Sequence, residues 1–222
     1  MVRADRGVRI RAPRLGLEVD LVEHLLAACG GLGVQQGLRI QVDGPEVPLL
    51  DGGAAEFAAA VKALAPPRSR PRLRVARTGE LVVGESRYSF SPASSIRIDV
   101  RVQFPGREEE SASWDGSASA FVRDIAPART FGFRRDAALL RASGRAAHVD
   151  PHSVLVLEDD GKISGGRARP SELARHKLLD LIGDSFLFGG PALGALAADR
   201  PGHARTHEAL RRAVSDGILE RI

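Results

Sequence analysis

Cysteine is almost missing from this chain: Cys29 is the only one in 222 residues. That excludes a disulfide framework and any thiolate zinc knuckle, and it fits a reducing cytoplasm. Aromatic residues are sparse at 5%, with one Trp and one Tyr, so stacking platforms for single-stranded nucleic acid are few. No basic run reaches five residues, and 32 Lys and Arg against 28 Asp and Glu leave a scattered formal charge of +4. This argues against a nucleic-acid partner and suits a phosphorylated small molecule such as a sugar nucleotide. No apolar stretch approaches ~18 residues, so no transmembrane segment is expected. Nor is the opening "MVRADR" followed by a signal-peptide core.

What remains is the composition of a globular protein, 43% hydrophobic and 27% charged, long enough for one large domain or two small ones. Residues 7–12 read as a strand. Residues 20–29 read as a helix, with Asp20 as its cap and Gly30, Gly31 and Gly33 as its stop. Residues 38–42 alternate as a strand, and 54–64 form a second helix. The tract "PPRSRP" at 66–71 is the linker candidate, dividing residues 1–66 from 67–222. Beyond it lie alternating runs at 73–76, 80–90 and 96–104, a helical segment at 117–125 and a β-branched strand at 154–158. A strong helix spans 171–188, a short strand 193–197 and a last helix 203–219. The pattern predicts an α+β fold of two-layer, sheet-plus-helices domains facing each other, the first of them thinner.

On the helix at 171–188, His176, Asp180 and Asp184 fall at i, i+4 and i+8 and share one face. His and Asp four apart can reach one metal ion. Taken alone, the pair reads first as an exposed, salt-bridged helix face. In the first helix, His24 is a candidate third ligand, and Glu23 beside it a candidate base for an activated water. Glu23 also stands three residues after Asp20, as in a capping box. His148, His152 and His207 read as loop or surface residues, Cys29 as core, and Glu108–Glu110 as a solvated loop.

Five motifs occur in one order: "VEHLLAACGGLG", "PEVPLLDGGAAEF", "ARTFGF", "RHKLLDLIGDSF" and "GHA". Together they resemble the UDP-3-O-acyl-N-acetylglucosamine deacetylase family, zinc enzymes of lipid A synthesis. The resemblance implies a Zn2+ cofactor held between two α+β domains by His24, His176 and Asp180. It implies Glu23 as base, a protonated His203 as oxyanion stabiliser or proton donor, and Asp184 as the partner that orients His203. Thr130 would hydrogen-bond the tetrahedral adduct, and Phe131 and Lys177 would help hold an amino-sugar nucleotide.

Three departures accompany the resemblance. Only 21 residues precede Val22, where the family carries a strand pair and further sheet, so the chain reads as an N-terminally truncated or divergent member. An unpaired sheet edge there would invite a homodimer. Leu21 stands where the family has Thr, and Gln35-Gln36 where it has Asp-Asn. "AHVDPHSVLV" replaces the segment that shapes the family's acyl-chain passage. These changes point to an active hydrolase of shifted or simpler specificity. The alternative is a non-catalytic paralogue that binds zinc or a sugar nucleotide as a regulator.

Overall fold

A computed structural model describes residues 7–136, 152–164 and 166–222 of the chain. The main sheet has five strands, Gly79–Val83 (β4), Ser86–Ser91 (β5), Ile96–Val102 (β6), Glu110–Trp114 (β7) and Gly194–Asp199 (β11), in the order β4-β5-β11-β6-β7. All neighbours are antiparallel except β11 and β6, which run parallel with Leu196 opposite Ile98. Alternation puts Tyr88, Phe90, Ile98, Val100 and Leu196 on one buried face, as a half-covered sheet requires. Two long helices cover that face, Glu172–Phe186 (α4) and His203–Ser215 (α5).

Residues 7–63 add a hairpin, Ile10–Ala12 (β1) with Leu17–Val19 (β2), and two helices, Glu23–Leu32 (α1) and Ala55–Ala63 (α2). Helix α1 packs along α4, away from the sheet, and one continuous core joins Ala27 and Ala28 to Leu178, Ile182, Phe90 and Leu210. Each fully buried leucine or phenylalanine in it stabilises the fold by about 1.5–3 kcal/mol. Two glycines permit the close packing. A Cβ on Gly183 would stand 2.2 Å from the Glu23 carbonyl oxygen, and one on Gly31 would stand 2.3 Å from the Phe121 ring.

A smaller sheet, Thr130–Phe133 (β8), Val154–Leu157 (β9) and Ile163–Ser164 (β10), closes over Leu173 at the start of α4. Leu73–Val75 (β3) pairs with the last strand, Leu219–Arg221 (β12). Between β7 and β8 the chain makes one helical turn, Ala118–Ala120 (α3), and a wider turn, Phe121–Ile125. No helix among the described residues is long and apolar enough to cross a membrane.

The α+β class and the long helices agree with the sequence reading; several details do not. Helix α1 begins at Glu23 with Val22 as its cap residue and no side-chain cap. Asp20 is instead paired with Arg9. Gly30 and Gly31 lie inside the helix as packing positions, and only Gly33, at φ 69°, ends it. Residues 38–42 form no strand, because no neighbouring strand among the described residues offers them a ladder. The run 80–90 is a hairpin that turns at Gly84, and α5 stops at Ser215 so that Leu219 can open β12. Glu110 is not loop: it starts β7 and is ion-paired to Arg107. Cys29 is buried, and burial pushes its thiol up to about 11, which makes it a core residue.

Candidate metal centre

Pro170 and the left-handed Ser171 (φ 51°) turn the chain into α4, whose helical period then presents His176, Asp180 and Asp184 along one face. That face meets α1 and α5 rather than solvent, so all three are buried. The first turn of α1 supplies His24, also buried, with its ring edge-on to His176 at 5.1 Å. One donor atom from each of His24, His176 and Asp180 lies within 4.8 Å of the others.

The finer geometry fits a cation. Asp180 Oδ1 lies 3.7 Å from His24 Nε2 and 3.5 Å from His176 Nε2. Donors ~2.1 Å from a tetrahedral zinc stand about 3.4 Å apart. Asp180 Oδ1 is buried and has no hydrogen-bond partner, an uncompensated cost that a bound cation would remove. His176 Nδ1 donates to the Ala128 carbonyl at 3.0 Å, which leaves the Nε2 lone pair turned toward Asp180. Asp180 Oδ2 accepts from Lys177 Nζ at 2.8 Å, which fixes the carboxylate plane.

Electrostatics point the same way. Burial, aided by the facing His176, pushes His24 down to about 3, and burial likewise lowers His176, so both rings are neutral as ligands must be. Burial would raise the Asp180 carboxyl, but the Lys177 ammonium and the facing His176, His203 and His24 together outweigh it and hold the group below the usual carboxylate range. Three protein donors leave a fourth position of a tetrahedral ion for water, the pattern of a catalytic rather than a structural zinc site.

Around the cluster stand groups suited to moving protons. Glu23 is buried and accepts from the Val8 amide at 2.9 Å, and burial raises its carboxyl. It therefore plays no capping-box part. His203, at the start of α5, has Nδ1 3.0 Å from both oxygens of Asp184 and Nε2 3.7 Å from Asp180 Oδ2. Burial opposes its charge, but Asp184 and Asp180 overcome that and push it up to about 9. Phe131 on β8 lies 5.9 Å from the His176 ring, and Lys177 Nζ sits 5.4 Å over the Phe131 face. Thr130 begins β8 two residues after Ala128, its amide held by the Gly52 carbonyl at 2.7 Å.

Two features escaped the sequence reading. The Ala128 carbonyl carries no side-chain signal. His207 is not a surface residue: it is buried, with Nε2 2.9 Å from Asp184 Oδ1. Its place one turn after His203 was the clue available. His152 is exposed as expected, whereas His148 and the first half of the altered passage segment, residues 147–151, lie outside the described residues.

A buried His-His-Asp cluster that could hold a metal ion, flanked on an α+β scaffold by the Glu23 carboxylate and His203, suits a metal-dependent hydrolase. The chain belongs to the UDP-3-O-acyl N-acetylglycosamine deacetylase family, whose model matches residues 2–215. It is similar to the UDP-3-O-acyl-N-acetylglucosamine deacetylase of Myxococcus xanthus, 38% identical over 218 residues that cover 96% of this chain and 69% of that one. The protein of the same name in Anaeromyxobacter dehalogenans is 35% identical over 243 residues, covering 100% and 78%. That of Brucella ovis is 35% identical over 205 residues, covering 89% and 71%.

Proposed function

We propose that this protein is a zinc-dependent N-deacetylase of lipid A synthesis, removing the acetyl group of UDP-3-O-acyl-N-acetylglucosamine or a simpler amino-sugar relative. The observation that carries this reading is the buried, unpartnered Asp180 Oδ1 between the Nε2 atoms of His24 and His176. Zinc held by these three would supply Lewis acidity and lower the pKa of a bound water to ~7.

The chain's own residues supply the rest. Glu23, with its carboxyl raised by burial, takes the proton of the attacking water. His203, charged and oriented through Nδ1 by Asp184, stabilises the developing oxyanion and gives its Nε2 proton to the departing amine. Thr130 hydrogen-bonds the tetrahedral adduct. Phe131 and Lys177 line the approach, the ring offering an apolar face and the ammonium a charge for the sugar nucleotide. The rewritten "AHVDPHSVLV" segment supports a shifted acyl preference.

The test is metal content together with acetate release from a panel of N-acetyl sugars, with and without the nucleotide and the 3-O-acyl chain. Expected are about one zinc per chain and acetate from at least one amino-sugar substrate. Protein that holds zinc and releases acetate from none would be a binding module.

A further inference from the structure

The Asp184 carboxylate serves two histidines. His203 and His207 stand one turn apart on α5 and converge on it, His203 Nδ1 at 3.0 Å from both oxygens and His207 Nε2 at 2.9 Å from Oδ1. Neither Asp184 nor His207 is open to solvent. A carboxylate so buried depends on protein donors to satisfy its lone pairs and hold its orientation, since bulk solvent does not reach it. Asp184 is attached to α4, whereas both histidines belong to α5. The shared carboxylate is thus a joint between the helix that carries His176 and Asp180 and the helix that carries His203.

We propose that His207 is a positioning residue: its Nε2–H holds the Asp184 carboxylate in the one orientation that receives His203 Nδ1–H and turns His203 Nε2 toward the site. The contact constrains its own tautomer, because an ionised carboxylate only accepts and His207 must therefore donate through Nε2. Packing helps. The Phe188 ring meets His207 edge-on at 5.9 Å, and Thr206, next in the chain, is tied to Tyr88 on the sheet at 2.9 Å. Without the His207 bond, Asp184 Oδ1 loses one donor and the carboxylate gains freedom to rotate about its χ2. His203 would then spend part of its time misdirected, and substrate affinity would be untouched. This rests on the reading of His203 as proton donor.

Two variants separate the hydrogen bond from the packing. His207→Phe keeps a ring against Phe188 and loses the donor, whereas His207→Gln keeps a donor near the Nε2 position. His207→Phe should lower kcat about 10–100-fold, the usual weight of an outer partner of a site residue, with KM and zinc content unchanged. His207→Gln should recover most of the loss. In a His203→Ala background His207→Phe should cost nothing more, since its effect passes through His203.

A second readout is independent of turnover. In protein labelled with 15N-histidine, the His203 Nδ1–H proton should be slow to exchange in the wild type and in His207→Gln, and at least about tenfold faster in His207→Phe, as expected when a buried hydrogen bond is loosened. An unchanged exchange rate in His207→Phe, or a Gln variant as impaired as the Phe variant, would overturn the assignment. A wild type with protected His203 but no deacetylation would sink the proposed function and leave the positioning role standing.

Discussion

At the scale of single residues, Glu23 is the side chain whose role is most sharply testable. Its carboxylate is buried beside His24, tied by one oxygen to the Val8 amide, and free of any capping duty. Glu23→Gln keeps size and shape but cannot take a proton. Turnover should fall by about 10²–10⁴-fold, the weight of a positioned general base, while zinc content stays at the wild-type level. His176→Ala should behave differently, losing metal and activity together, because it removes a donor whose tautomer is set by the Ala128 carbonyl. Equal turnover in wild type and Glu23→Gln, measured as acetate release, would take Glu23 out of the chemistry.

Elements bring these residues together, and the decisive contact is between α1 and α4. Gly183 lies where the backbone of Glu23 passes, and an added Cβ would stand 2.2 Å from the Glu23 carbonyl oxygen and 3.3 Å from the Ala27 amide. Neither backbone atom can step aside as a side-chain tip would. Gly183→Ala should therefore push the helices apart and cost about 1–3 kcal/mol of stability, as overpacking does. It should also weaken zinc binding, because His24 moves with α1 and His176 with α4. Chemical denaturation and zinc titration check the two effects. A variant of wild-type stability and zinc affinity would show that the helices have room to spare.

For the whole molecule, the cluster joins the first helix to the penultimate one, so a cation bound there crosslinks distant parts of the chain. Any ligand that binds only the folded state stabilises it by mass action, about 4 kcal/mol at a thousand times its Kd. Chelation should lower the melting temperature, zinc should restore it, and His176→Ala should melt at one temperature with or without chelator. A wild type indifferent to chelator would argue against a metal bridge.

How much of this was legible beforehand follows from what each signal encodes. The face shared by His176, Asp180 and Asp184 is a consequence of helical period, and the buried alternation of β5 and β6 is a consequence of strand period, so both could be read from residue order. The lone cysteine ruled out a disulfide framework and a thiolate zinc knuckle from the sequence alone. What could not be read was what packs against each face. Residues 38–42 alternate like a strand yet have none beside them among the described residues, Gly30 and Gly31 look like helix stops yet serve a close crossing, and Glu23 looks like a cap yet receives the Val8 amide. His207 looked like a surface residue because its partner, Asp184, comes from another helix. Local order sets which side chains point together. Only tertiary packing, which removes water and supplies partners from far along the chain, decided which of them are buried, paired and poised for chemistry.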